Sequence, residues 1–491
     1  MKNDRRDLRL TARIVAMISL LGFSSMILAQ HLESPLQLRS SDAALVHAFD
    51  WAKGQALSYV REGDPVGPWY EAALPGRQAF CMRDISHQAA GGVALGLSEH
   101  TFNMFRKFAA NISESRDWCT FWEIDRLDRP APVDYKSDKD FWWTLPASFD
   151  VLDACYRMYG WTHDRRYIDD PVMLNFYRHT MTDYVAKWDL SADRIMERDI
   201  RIKGARGIPS YVETVDDISV GVDLLASESA ACRAYAAILD LKKDAAGAEH
   251  YRREAAKLDH LIDSRWWNPS AKAFYGFYTT GHEFTMGVRW SLLYWDAIRD
   301  PAKLKSAVKD LADIPLERDS NQVEDKSYQP EILYRFGYTD KAYRQILDLA
   351  REDRHRREYP EVSFAMIGAI CRGMMGVTVE PTGNPKHLRI RTVSGLGPKT
   401  NWAELSNLPV LGTQISLRQE AVSTTLTNQG TEPMHWRAAF VGKHTRFYVD
   451  GKRKTPQYET RSLDRVFTYL DVEVMPGKSV RAEFEPTQIE G

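Results

Sequence analysis

Apolar residues recur at helical spacing from Ser41 to Val60 (Ala44, Leu45, Ala48, Phe49, Ala52), with Ser41 or Asp42 ahead of them as a cap. The same spacing predicts helices near residues 84–97, 101–112, 145–159, 172–188, 219–241, 247–266, 285–297, 301–311, 331–336, 340–350 and 362–375. That makes about twelve helices in six pairs. Long loops rich in Gly, Pro and aromatic residues precede the even helices, whereas the turns from even to odd helices are short. The even helices are also the less charged set, as in DISVGVDLLASESAACRAYAAI and EVSFAMIGAICRGMM, which suits burial on both sides. An (α/α)6 helical toroid, a closed double ring with its long loops at one mouth, satisfies both asymmetries. An α-solenoid would call for a fixed-period repeat, and the chain has none.

From about Val377 the period changes to the short alternating segments HLRIRTV, GTQISLRQ, VSTTLTNQ, TRFYVDG and VRAEFEP. They predict a small C-terminal β-sandwich with hairpin turns at VDGKRK and NQGTEP. The fold class is therefore mainly α, with a helical catalytic domain over 31–376 and a β-sandwich over 377–491. Residues 1–30 form a different pattern: Arg5, Arg6, Arg9 and Arg13 precede an apolar run from Ile14 to Leu28 and small Ala29. This is the order of a secretory signal peptide, which places the mature chain in the periplasm or outside the cell. No stable membrane association is expected after its cleavage. The Arg5-Arg6 pair has part of a twin-arginine pattern, and an uncleaved anchor is the alternative reading.

Composition narrows the chemistry further. The 491 residues supply a large core, and a formal charge of −2 gives no basic surface for nucleic acid. The five cysteines are too scattered for a disulfide framework, and no CxxC or Cys/His cluster suggests a metal. Cys81 and Cys119 could pair, but buried thiols are the simpler reading. No GxGxxG, P-loop or HExxH string is present, so neither a cofactor nor a metal is expected. Nothing in the sequence reports the oligomeric state.

The densest group of acids lies in YVETVDDISVGVDLLASE, where Glu213, Asp216, Asp217, Asp223 and Glu228 surround a helix start. One Asp would be an ordinary N-cap; the surplus suggests a site. Taking the long loops as one mouth brings Arg83, Asp84, His87, Gln88, Trp118, Trp122, Glu123, Trp142, Tyr211, Tyr328 and Tyr359 together as candidate substrate-binding residues. Sugars present hydroxyl groups around apolar C–H faces, so rings to cover the faces and ionic groups to bind the hydroxyls suit a carbohydrate partner. Cleaving a glycosidic bond commonly takes one protonated and one ionised carboxyl group. Asp217 is the leading acid, with Glu213 and Asp216 as alternates, because crowded carboxylates raise one another's pKa. Glu361 in YPEVSF is the leading base, with Glu324 second. Each has a structural alternative: Asp216 or Asp217 as a helix cap, Glu361 as a dipole partner, Arg83–Asp84 as an internal ion pair, and His87 as a hydrogen-bonded core histidine.

CMRDISHQ resembles the loop-to-helix RD motif of the six-hairpin glycosidases, a superfamily that includes α-L-rhamnosidases and trehalase-like and glucoamylase-like enzymes. VGVDLLASESAACRAYAAI with SRWWNPSAKAFYGF resembles its helix pair and W-N loop, and RFGYTDKAYRQIL and GVTVEPTGNPKHLRIRTVSGLG resemble later segments up to the β-domain junction. The resemblance covers most of the mature chain. It implies a helical toroid and inverting glycoside hydrolysis without cofactor, the acid at Asp217 or its neighbours and the base at Glu361 or Glu324. The rhamnosidase D-E-R-x-G-W pattern and the trehalase signatures are missing, which leaves the sugar open. The expectation is thus an exported, inverting and exo-acting glycoside hydrolase. A polysaccharide lyase using Tyr135, Tyr211 or Tyr328 with His87 and Arg83 is the alternative, ahead of an epimerase using His87 and His282 or a non-catalytic sugar binder.

Overall fold

The computed structural model describes residues 33–198, 206–213, 217–316, 323–382 and 388–486. Residues 1–30, for which a signal peptide is expected, and Asp216 lie outside the described residues. Each expected helix has a counterpart: α1 (Ala43–Ser58), α2 (Met82–Ala94), α3 (Ser98–Ala110), α4 (Pro146–Thr162), α5 (Pro171–His179), α6 (Val222–Leu241), α7 (Ala245–Arg265), α8 (Ser291–Tyr294), α9 (Pro301–Ala312), α10 (Val323–Arg335), α11 (Thr339–Leu349) and α12 (Pro360–Gly368). Asp42 caps α1 by accepting from the Ala44 and Leu45 amides, as its position predicted.

Burial separates two kinds of helix. α7 buries a single stripe (Ala248, Ala255, Leu258, Asp259, Ile262), whereas α2 and α12 are buried on every side. The buried set packs in order: α2 on α4, α4 on α6, α6 on α8, α8 on α10, α10 on α12, and α12 on α2. α1, α3, α7, α9 and α11 lie against these from outside, for instance α7 along α6 and α1 along α12.

Three local differences from the sequence reading have physical causes. The helix expected at 219–241 starts at Val222, because Ile218–Gly221 is a strand paired with Phe277–Thr279. Asp217 therefore precedes a hairpin strand and not a helix. The helix expected at 285–297 is a single turn, since Phe284–Thr285 is the third strand of that small sheet and Asp296 takes a positive φ of 51°. Conversely α10 begins at Val323, two turns earlier than expected, and carries Pro330 within it. The proline removes one amide donor but does not end the helix.

The C-terminal strands form two sheets. One holds seven strands in the order Gln37–Ser40, Trp402–Val410, Thr413–Glu420, Ser423–Asn428, Ser479–Phe484, Phe447–Val449 and Lys452–Lys454. The other holds five: Val377–Pro381, Leu388–Val393, Met434–Val441, Arg465–Val474 and Gln457–Arg461. Phe440 of the second meets Phe447 and Phe484 of the first at ring distances of 5.5 and 5.2 Å, so their apolar faces oppose each other. The first strand comes from the N-terminal end of the chain and pairs antiparallel with Trp402–Val410. All five cysteines are buried thiols, and Cys81 and Cys119 are not bonded. Among the described residues no helix is long and apolar enough to cross a membrane.

Candidate active site

The N-terminal turns of the buried helices carry the chemistry. The strand Ala79–Cys81, paired with Glu123–Asp125, runs straight into α2 and leaves Arg83 and Asp84 in its first turn. Pro360 starts α12 with Tyr359 as its cap and Glu361 next in line. The two helices touch where Gly91 meets Phe364: a Cβ there would lie 2.0 Å from the Phe364 carbonyl oxygen. This close approach lets Asp84 and Glu361 reach each other, and they share a hydrogen bond. Both are buried, at 7 % and 2 % exposure. Burial raises both pKa values, Asp84 to about 6 against the opposing pull of Arg83, and Glu361 well above the carboxylate range with Asp84 adding to the rise. The shared hydrogen bond favours the protonated form of Glu361, whose O–H donates to the Asp84 carboxylate.

Arg83 extends from this pair toward the rim. Its Nε lies 3.3 Å from Asp84 Oδ1 and its Nη1 3.3 Å from Glu213 Oε1, while its guanidinium stands 5.9 Å from the Trp122 ring and 5.6 Å from the Tyr211 ring. Tyr211 is held from two sides. Its backbone amide donates to Asp223 Oδ2 at 2.6 Å and its hydroxyl to Asp150 Oδ2 at 3.0 Å. Asp223, which also accepts from the Ser210 hydroxyl, is therefore used in fixing the loop.

Aromatic rings pack next to this group. His87 stacks on Tyr328 at 3.5 Å and its Nε2 lies 3.0 Å from Ser327 Oγ. Burial and the nearby Arg157 and Arg83 push its pKa down to about 3, so the ring is neutral. Trp290 lies 4.2 Å from the far side of Tyr328. Beneath, burial raises Asp150 to about 7, with Arg157 4.0 Å away acting against the rise. On the remaining side, burial raises Asp325 to about 6, while Glu324 pairs with Arg356 at 3.0 Å and Arg356 covers the Tyr359 ring at 4.0 Å.

Arg83, Asp84, His87, Trp122, Tyr211, Glu213, Tyr328 and Glu361 are thus linked by these contacts, and Glu324 and Tyr359 stand together beside them. Other candidates sit elsewhere. Trp118 stacks on His179 at 4.1 Å along α5, and Glu123 pairs with Arg77 at 2.6 Å. Gln88 is fully buried with its Nε2 3.5 Å from the Glu71 carbonyl, and the Trp142 amide donates to the Asp134 carbonyl. Asp217 is exposed; its carbonyl accepts from the Thr280 amide at 2.7 Å, and no side-chain bond ties it to the Asp84–Glu361 pair among the described residues. Glu228 lies inside α6, 3 % exposed.

Asp150, Arg157 and Trp290 join the site without having stood out in the sequence. The available signal was in PASFDVLDACYRMYG: Asp150, Ala154 and Arg157 fall on one helical face of an otherwise apolar inner helix, and a buried charge demands a partner.

Comparison with known proteins places this geometry in context. No family model matches the chain, and no curated protein matches it by sequence. Solved structures do match. An α-L-rhamnosidase from Dictyoglumus thermophilum superposes with a TM-score of 0.61 at 13 % identity, over 92 % of this chain and 50 % of that one. A rhamnosidase from Bacillus sp. GL1 gives 0.58 at 12 % identity, over 80 % and 40 %. A sialidase gives 0.54 at 12 % identity, over 88 % and 41 %. The chain shares its fold with these carbohydrate-active enzymes, in line with the six-hairpin resemblance read from its motifs, and it spans half of their length or less. Identities this low speak for the fold alone.

Proposed function

We propose that the chain is a glycoside hydrolase acting at this mouth, on a helical ring of the (α/α)6 type. The order of helix packing, in which α12 returns to α2, supports the ring. The Asp84–Glu361 pair carries the functional reading. A buried carboxyl group whose burial and carboxylate neighbour favour its protonated form, beside a guanidinium and aromatic rings, is equipped to protonate a departing glycosidic oxygen. Burial therefore supports Glu361 in the acid half, whereas the sequence reading had given it the base half. Water activation then falls to a second carboxylate: Glu213, which already salt-bridges Arg83, with Asp217 and Glu324 as alternates.

A buried acid and a base on a separate loop fit an inverting displacement, in which a water enters between them. The His87–Tyr328 stack packed next to this group fits exo action on a chain end. The charged-then-apolar order of residues 1–30 supports export. The lyase alternative loses ground, because burial drives the Tyr211 and Tyr328 phenols well above their usual pKa and Tyr211 donates its proton to Asp150. A panel of aryl glycosides and oligosaccharides, with NMR of the first-formed sugar, tests the proposal. Release of a reducing sugar of inverted anomeric form is expected; an ultraviolet-absorbing unsaturated product from uronate polymers, or no turnover on any glycoside, would refute it.

A further inference from the structure

Two inner helices each commit one buried carboxyl group to the loop that carries Glu213. Asp223, the second residue of α6, accepts from the Tyr211 amide at 2.6 Å and from the Ser210 hydroxyl at 3.1 Å, and the Val212 amide donates to Ser210 Oγ at 2.9 Å. Gly221 permits this approach, because a Cβ there would lie 2.7 Å from the Ser210 Cβ. Asp150, one turn into α4, accepts from the Tyr211 hydroxyl at 3.0 Å. Tyr211 is thus pinned at its amide and at the far end of its ring, two residues before Glu213. The Arg83 guanidinium stands 5.6 Å from that ring and bonds Glu213 Oε1 at 3.3 Å, so the pinned ring and the carboxylate meet at one group.

A plainer use for Asp150 would be to balance the buried guanidinium of Arg157. The distances give that use to another residue. Arg157 pairs with Asp153 at 2.8 Å, whereas its Nη2 stands 4.0 Å from Asp150 Oδ1 and neither of those atoms has a hydrogen-bond partner among the described residues. Burying a carboxyl group costs free energy unless it is hydrogen-bonded, and the bond Asp150 makes at 3.0 Å goes to Tyr211. Glu213, by contrast, has a side chain 35 % exposed, so burial does not fix it and the residues before it must.

We infer that Asp150 is a positioning residue for hydrolysis: through the Tyr211 hydroxyl it fixes the stretch that presents Glu213, the carboxylate proposed to activate water. The inference rests on the hydrolase reading above. A group that activates water must be held to within roughly 0.5 Å, and a misplacement of about 1 Å costs about 10²-fold in rate.

Steady-state kinetics of the whole chain, on the aryl glycoside or oligosaccharide that the parent cleaves fastest, tests the two statements separately. With no cleavage by the parent, the hydrolase reading falls and this inference with it. With cleavage, Asp150→Ala and Tyr211→Phe should each lower kcat roughly ten- to hundredfold while KM stays within about threefold. The double variant Asp150→Ala/Tyr211→Phe should be no slower than the slower single one, since all three remove the same bond. Asp150→Asn should keep kcat within about threefold of the parent, because its amide oxygen accepts from Tyr211 and no hydrogen bond is lost at the other position. Tyr211→Phe against Asp150→Asn decides the matter where Asp150→Ala fails to fold. Undiminished kcat in a folded Tyr211→Phe, losses that multiply in the double variant, or Asp150→Asn as slow as Asp150→Ala, the mark of a charge-balancing role, would overturn the assignment while leaving hydrolysis itself standing.

Discussion

Burial works against charge at Asp84, Asp150 and Glu361, and the effect must show in the pH dependence of stability. Asp150 titrates near 3.8 in an unfolded chain and at about 7 when folded. Between those values the folded state holds a proton that the unfolded chain releases, so raising the pH favours unfolding. Thermal melts should therefore show Asp150→Asn losing less stability than the parent between about pH 4 and 7. His87 acts in the opposite sense. Its pKa of about 3, against 6.5 when unfolded, means stability that falls as the pH drops through that window. A His87→Gln variant should lose less stability on acidification than the parent does.

Element boundaries were legible wherever the 3.6-residue spacing was strong, as for α1 and α4, and they failed where pairing was long-range, as at the start of α6. Ile218–Gly221 is a strand because Phe277–Thr279 lies beside it, a partner almost sixty residues away that local spacing cannot reveal. The site divided along the same line. Arg83, Asp84 and Glu361 stood out as charged residues at apolar helix starts, and Tyr211 as the first residue of an acid-rich stretch. Asp150 sat inside a regular helix and depended on a tertiary contact with Tyr211 for its meaning. Packing of α2 on α12 gives a direct prediction. Gly91→Ala would drive a Cβ into the Phe364 backbone and should cost about 1–3 kcal/mol or more, read by denaturant unfolding. Gly54→Ala in α1 meets nothing within 4 Å and should instead stabilise by about 1 kcal/mol.

The helices and sheets from Ser34 onward belong to one compact unit. Asp42, the cap of α1, accepts from Tyr343 of α11 at 2.6 Å and from Thr400 beyond the helices at 3.1 Å. Trp161 at the end of α4 donates to the Pro409 carbonyl at 2.8 Å, and Gln419 bonds the Met375 carbonyl at 2.9 Å. The alternating pattern after Val377 announced the strands. It could not announce that Gln37–Ser40 would close one sheet from the other end of the chain. Calorimetry on residues 34–491 should accordingly show a single transition, and a chain ending at residue 376 should lose that cooperative melt.

The central claim is that Glu361, protonated against Asp84, delivers the proton that breaks a glycosidic bond. Comparing the parent with Glu361→Gln on a hydrolysed glycoside tests it most directly, because the amide keeps the size of the side chain and its hydrogen bond to Asp84 while removing the acidic proton. The expected result is a fall in kcat of roughly 10²- to 10⁴-fold with little change in melting temperature. Undiminished kcat in a folded Glu361→Gln variant would contradict it.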